Sequence, residues 1–250
     1  MAVTVINPVL PYISMHIRAF IEEMERLAPP MLAEEFDQGR IGRIIEGRDG
    51  INRVCCALDA TPVVVERAVA ASADMLVVHH TPLWTPVTQV TGRTARILRT
   101  LLAAEMNLYV MHTNFDRADG GVNDALCRLL GLTETMPMSA GKIGTFGAAP
   151  KEISRRIGGN VRIWGKIGKT VRRLAVVAGS GFDPLLLEEA HEQGADAFLS
   201  AEMKHAVARG SPIPCIEATH YSLEAPAMRE LSVRMGWGYI DDPPVITQLP

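Results

Sequence analysis

Two adjacent histidines, His79 and His80, close an apolar run of strand length at residues 75–78 and are followed by Thr81-Pro82. Proline cannot continue a central strand, so we expect the strand to end about there. In an open α/β sheet, ligands bind just beyond the carboxyl ends of the strands. The pair therefore stands where a functional histidine would be placed.

Two further apolar runs lead to a histidine that has a carboxylate four residues later. One run precedes His112 and Asp116, and the other precedes His220 and Glu224. Each motif alone has a structural reading, because a histidine pair is commonly hydrogen-bonded and a spacing of four recurs by chance. The joint pattern favours function, since five of the seven histidines lie at or just past predicted strand ends: His79, His80, His112, His205 and His220.

Imidazole and carboxylate groups in this arrangement favour a metal site. Neighbouring residues of a strand point to opposite faces, so His79 and His80 would bind one ion each, or one would bind and the other would support it. Asp116 and Glu224 could serve both ions, because a bridging carboxylate holds a close metal pair. These ligands suit two divalent ions of zinc, iron, manganese, cobalt or nickel, while the absence of thiolates argues against a closed structural zinc site.

The elements that would position these side chains alternate between strands and helices. Glycine-punctuated residues 31–50 are predicted to be a loop with a short turn of helix. The sequence further predicts helices at 11–27, from a cap at Asp59 or Thr61 to about Ala71, at 94–106 and at 122–130 before Gly131, and strands at 54–58, 108–111 and 174–178.

The second half of the chain repeats the first. Four positions recur 122 residues later, and the histidine and carboxylate recur 108 residues later: Glu66, Ala68, Ala73 and Asp74 match Glu188, Ala190, Ala195 and Asp196, and His112 and Asp116 match His220 and Glu224. We therefore expect an α/β fold of two similar units, residues 1–132 plus 225–250 and residues 133–224. Each would be a sheet flanked by helices, with the metal site at the carboxyl ends of the strands between them.

Composition narrows the class of protein. With 48% apolar residues, 21% charged residues and a net charge of −3, the chain is globular and lacks the basic excess of a nucleic-acid binder. No apolar run approaches the ~20 residues of a membrane span, and the four cysteines form no C-x-x-C pair. These features predict a cytoplasmic protein. Gly168-Lys169-Thr170 and Gly179-Ser180-Gly181 resemble phosphate loops only in part, so neither predicts a nucleotide cofactor.

The sequence blocks at His79-His80-Thr-Pro, at residues 112–125 and at residues 218–224 together resemble the signature blocks of the NIF-three-like family (NGG-one-interacting factor three). Its members are often named GTP cyclohydrolase I type 2. Weaker similarity extends over nearly the whole chain. The chain departs from many relatives at Gln38-Gly39 and Thr81-Pro82, which concerns substrate contacts more than metal ligands.

The resemblance implies a dinuclear site in a ring-shaped homohexamer. His80 and Asp116 would bind one ion, His79 and His220 the other, and Glu224 would bridge the two ions. The function that follows is a metal-dependent hydrolase, which uses metal-activated water on an unidentified small molecule, nucleotide-like or phosphoester.

Further side chains could support such a reaction. His112, His205 or Glu202 could transfer a proton or orient a ligand. The alternative is a non-catalytic metal-binding scaffold or regulatory protein. Nucleic-acid binding would require the basic residues 155–173 to line the interior of a ring.

Overall fold

The computed structural model describes residues 4–6 and 14–247. The strands are β1 (Thr4–Ile6), β2 (Met15–His16), β3 (Gly42–Ile45), β4 (Gly50–Ile51), β5 (Val54–Asp59), β6 (Met75–His80), β7 (Asn107–Val110), β8 (Thr133–Pro137), β9 (Lys142–Ala148), β10 (Arg162–Trp164), β11 (Val171–Val176), β12 (Ala197–Ala201), β13 (Cys215–Ala218) and β14 (Gly238–Asp241). The helices are α1 (Ile17–Leu27), α2 (Pro62–Ala70), α3 (Gly92–Ala103), α4 (Thr113–Arg117), α5 (Val122–Leu130), α6 (Lys151–Ile157), α7 (Pro184–Glu192), α8 (His205–Gly210) and α9 (His220–Met235).

The chain divides into two compact units, which confirms an α/β fold of two units. Unit 1 comprises Met1–Ala118 and Met228–Pro250, and unit 2 comprises Asp119–Ala227. The sequence placed residues 119–132 and 225–227 on the other side of the boundary. Helix α5 belongs to unit 2 because it packs against β9, β11 and α6.

The sheet of unit 1 has the strand order β1-β14-β5-β6-β7-β3. Strands β14, β5, β6 and β7 run parallel, and β3 closes one edge by antiparallel pairing with β7. The sequence predicted a loop over residues 31–50, so β3 and β4 correct that prediction. The polar residues of β3 gave no apolar alternation because only Ile45 of this edge strand is buried.

Local sequence explains where the helices of unit 1 begin. Thr61 caps α2, because its side chain accepts a hydrogen bond from the N–H of Val64 and Pro62 occupies the first turn. Asp59 is therefore not the cap, and its carboxylate is available for another partner. Helix α1 begins at Ile17 with His16 as its N-cap, rather than within the helix. Residues 11–13 of the predicted helix lie outside the described residues.

The sheet of unit 2 has the strand order β10-β13-β12-β11-β9-β8, in which β11, β12 and β13 run parallel. Strand β10 pairs antiparallel with β13, as β3 does with β7 in unit 1. The three parallel strands and this antiparallel neighbour thus follow one order in both units. Helix α5 ends at Gly131 in the left-handed conformation, with φ of 61°, as the sequence predicted.

The matched aspartates of the sequence repeat have the same surroundings in both units. Each accepts backbone N–H bonds from the residues that lead into the first parallel strand: Asp74 Oδ2 from Asn52 and Arg53, and Asp196 Oδ2 from Arg172 and Arg173. Each also donates its own N–H to the arginine carbonyl at that joint. The repeat therefore marks a structural joint that ties the end of one helix to the preceding strand.

Each sheet packs its apolar side chains into a core of its own, and side chains such as Leu76 in unit 1 and Phe198 in unit 2 are fully buried. Among the helices of the described residues, none combines the length and the apolar character needed to cross a bilayer.

Candidate metal centre

Unit 1 brings three histidines together at the carboxyl end of its sheet. Each of His79, His80 and His112 offers a ring nitrogen within 4.8 Å of the others. His79 and His80 are the last two residues of β6, and His112 caps α4 just after β7. Since β6 and β7 are parallel neighbours, their carboxyl ends carry these rings to one place.

The backbone of the sheet fixes the orientation of His79. This ring is fully buried, and its Nδ1 lies 2.7 Å from the carbonyl oxygen of Met111. A carbonyl only accepts hydrogen bonds, so Nδ1 carries the proton and Nε2 carries the lone pair. An imidazole held in this tautomer is prepared to donate Nε2 to a metal ion.

Asp59 fixes His80 in the same way. Its Oδ1 lies 2.9 Å from His80 Nδ1, and the two residues are register partners on β5 and β6. The carboxylate accepts the Nδ1 proton, which again leaves the lone pair on Nε2. Sequence analysis read Asp59 as a helix cap, because an aspartate just before Pro62 has that signature.

Asp116 lies on the lone-pair side of His79. Its Oδ1 is 3.5 Å from His79 Nε2. Two ligands bound at about 2.0–2.1 Å to a tetrahedral ion lie about 3.4 Å apart, so this separation fits one shared ion. The resemblance paired His80 with Asp116; the distance favours His79 as the partner of Asp116.

Asp37 holds His112 and was not identified from the sequence. Both of its carboxylate oxygens lie 2.9 Å from His112 Nδ1, and Oδ2 accepts the N–H of Thr113 at 3.1 Å. Burial raises the pKa of Asp37, but hydrogen bonds from His112 and Thr113 outweigh it and hold that pKa below the ordinary value. No spacing pattern could link Asp37 to a histidine 75 residues later.

Unit 2 holds the other predicted ligands at the start of α9. His220 is its first residue, and Glu224 lies one turn further on with only 2% exposure. His220 Nε2 is 2.9 Å from Glu224 Oε2, and His220 Nδ1 is 2.9 Å from Glu202 Oε1. A neutral imidazole has one N–H to donate, so a proton or a cation must lie between one of these pairs. A ring that donates Nδ1–H to Glu202 presents Nε2 and the Glu224 carboxylate to a cation together.

A glycine makes room for this pair. A Cβ atom at Gly179 would stand 2.2 Å from Glu224 Oε1 and 3.3 Å from His220 Nε2. Gly179 also has a φ of +71°, which side chains disfavour. The Gly179-Ser180-Gly181 turn thus serves the carboxylate of Glu224, and its Gly181 N–H is bonded to Ser200 Oγ.

Glu202 and His205 occupy different environments. Glu202 follows β12 with a positive φ of 63°, an uncommon conformation for a residue other than glycine. Its side chain reaches His220, as described above. His205 begins α8 and is exposed, and the structure does not bring it to His220 or Glu224 within unit 2.

The rest of the signature sequence shapes the backbone around the ligands. In unit 1, Asn114 donates to the Ala28 carbonyl and accepts the N–H of His112. In unit 2, Asn123 accepts the N–H of Ala178, which immediately precedes Gly179. These buried amides hold the loops that carry the histidines and the glycine.

Fold and site together define a class: a two-unit α/β protein with histidine and carboxylate groups that could hold a metal ion. The chain belongs to the Duf34/NIF3 (NGG1p interacting factor 3) family, whose model matches residues 15–238.

Similar proteins carry the same fold and related names. The chain is 31% identical to a GTP cyclohydrolase 1 type 2 homolog of Streptomyces coelicolor over 87% of both chains. It is 33% identical to the protein of that name from Pyrococcus abyssi, over 83% of this chain and 91% of the relative. The solved structure of reduced HcgD from Methanocaldococcus jannaschii aligns with a TM-score of 0.78 at 27% identity, covering 91% of this chain and 98% of that one.

Proposed function

We propose that the chain is a hydrolase dependent on two divalent ions held by His79, His80, Asp116, His220 and Glu224. The observation that carries the proposal is the tautomer of these histidines. Each ring faces an oxygen acceptor with Nδ1: the Met111 carbonyl for His79, Asp59 for His80 and Glu202 for His220. Each therefore offers Nε2, as metal-ligating histidines commonly do.

The donor set fits divalent transition ions. His79 and Asp116 would share one ion, as their 3.5 Å separation supports. His80 and His220 would then serve the second ion, and Glu224 would bridge the two. A bound divalent ion lowers the pKa of coordinated water toward neutrality and polarises the atom under attack.

His112 is suited to take a proton during the reaction. Its Nδ1–H is held by the buried carboxylate of Asp37, so Nε2 is the atom that accepts. The imidazolium that forms would be stabilised by the Asp37 carboxylate, 2.9 Å away. Glu202 acts as a positioning residue, because it orients His220.

The substrate class rests on the relatives. Several are named GTP cyclohydrolase 1 type 2 homolog, which places nucleotides first among the compounds to test. Phosphoesters and cyclic amides follow, because both react with metal-activated water.

The test is turnover by protein reconstituted with zinc, manganese, iron, cobalt or nickel, against a panel of these compounds. We expect hydrolysis that requires metal, stops with chelator and is lost in Glu224→Ala. The control is His191→Ala, which changes an exposed histidine of α7. Metal-loaded protein that turns over none of the panel would contradict the hydrolase proposal.

The second candidate is a non-catalytic metal-binding scaffold. Its support is the full burial of His79 and the 2% exposure of Glu224, which suit ligands kept for stability. The family description as an interacting factor agrees with this function. A large rise in Tm on metal binding, without turnover, would favour the scaffold.

A further inference from the structure

Two half-exposed aromatic rings stand beside the histidine cluster of unit 1. Phe36 is 50% exposed and Trp84 is 47% exposed. The ring centroid of Trp84 lies 5.5 Å from that of His112, and the Phe36 centroid lies 6.2 Å from it. Large apolar side chains that lie together on a surface mark a binding site more often than chance exposure.

Neighbouring contacts hold this aromatic pair in place. Phe36 belongs to a 3-10 turn, Glu35–Asp37, whose last residue is buried and hydrogen-bonded to His112. The Phe36 and Trp84 centroids are 6.0 Å apart. The rings are thus positioned by the same residues that position His112, and little ordering would be needed when a ligand binds.

Arg40 adds a positive charge to the pair. Its guanidinium carbon lies 5.2 Å from the Trp84 ring centroid, and its Nε donates to the Trp84 carbonyl oxygen at 2.7 Å. Within residues 14–247, no carboxylate forms an ion pair with this guanidinium. Its remaining N–H groups can therefore meet an anionic group of a ligand.

We propose that Phe36, Trp84 and Arg40 form a binding site for a planar heteroaromatic ring that carries a phosphate or carboxylate group. The aromatic side chains would stack on the ring, and Arg40 would bind the anion. The inference deepens the proposed function and rests on it, because the ring would lie beside His112 and the metal ligands of unit 1.

The test is isothermal titration calorimetry with adenosine 5′-monophosphate, adenosine, ribose 5-phosphate and nicotinate. Each is titrated into the full chain as purified and after chelator treatment. We expect adenosine 5′-monophosphate or nicotinate to bind more tightly than adenosine or ribose 5-phosphate. Whichever of the first two binds more tightly identifies the anion as phosphate or carboxylate.

Variants separate stacking from charge. Trp84→Leu should weaken the preferred probe by about 5- to 150-fold, the range for one lost stacking contact. Arg40→Gln should reduce the affinity for adenosine 5′-monophosphate toward that for adenosine, and should leave adenosine unchanged. The matched controls are Trp164→Leu and Arg162→Gln, an arginine over a tryptophan at 5.7 Å in unit 2, and both should bind as wild type.

Three results would overturn the inference. One is unchanged affinity in Trp84→Leu, and another is no binding of any ring compound at millimolar concentrations. The third is a change of oligomeric state in Trp84→Leu without a change of affinity, which would make the pair a contact between copies of the chain. Metal content measured on the same samples keeps the two proposals apart. Ring binding without bound metal would contradict only the proposed function, and normal metal with unaltered ring affinity would contradict only this inference.

Discussion

Replacing Gly179 by alanine should remove the second half of the metal centre while leaving unit 2 folded. The added Cβ would stand 2.2 Å from Glu224 Oε1, closer than real Cβ atoms approach an oxygen. Because Glu224 is 2% exposed, its carboxylate has little room to retreat and must turn away from His220. We expect metal affinity to fall by about 10–100-fold, the effect of disturbing the surroundings of a metal ligand.

The same substitution also strains the backbone. Gly179 has a φ of +71°, and an alanine in this region costs about 1–2 kcal/mol. Such a loss lowers Tm by about 2–8 °C in a chain of this size. The matched control is Gly158→Ala, because Gly158 has a φ of +67° and a Cβ there would meet nothing within 4 Å. The control carries the strain without the close approach.

The assay is calorimetric titration of zinc and manganese into both variants, with Tm measured beside it. Both should lose similar thermal stability, and only Gly179→Ala should lose metal affinity. If Gly179→Ala bound metal as tightly as Gly158→Ala, Glu224 and His220 would not be ligands in the arrangement described.

Other predictions follow from single contacts. Asp59→Ala should lower metal affinity by about 10–100-fold in the same titration, because His80 loses the acceptor on Nδ1; an unchanged affinity would remove Asp59 from the site. His112→Asn should lower kcat by about 10²–10⁴-fold with metal content unchanged, and loss of the metal instead would show that His112 is a ligand. Burial raises the pKa of Asp196, but the N–H groups of Arg173 and Arg172 outweigh it and the pKa lies below 3.8. A carboxylate with a depressed pKa stabilises the fold above its unfolded value and loses that effect as pH falls, so Asp196→Asn should lower Tm at pH 7 and have little effect at pH ~2. Light scattering should give the mass of a homohexamer, and a monomer would contradict the ring.

Local patterns in the sequence predicted the strand ends and several helix boundaries. Residues 75–80 are apolar until the two histidines, and the glycine at 131 ends α5 as expected. These features depend on neighbouring residues, so the sequence alone carries them. The repeat also marked Asp74 and Asp196, whose equivalent bonds lie within short joints.

Long-range partners could not be predicted in this way. Asp37 reaches His112 across 75 residues, and Asp59 serves His80 although its local signature is that of a helix cap. Helix α5 was assigned to the wrong unit because periodicity shows an apolar face without showing which sheet covers it. The close approach of Gly179 to Glu224 depends on the tertiary fold, and the sequence offered only a glycine-rich turn.

The measurement that tests the central claim most directly is the metal content per chain, by mass spectrometry, of protein purified without chelator. Wild type and Glu224→Ala are compared, with His191→Ala as the control. We predict about two ions per chain in wild type and in the control, with most of the metal lost in Glu224→Ala. Little or no metal in wild type after reconstitution with zinc, manganese and iron, or full occupancy in Glu224→Ala, would contradict the dinuclear site.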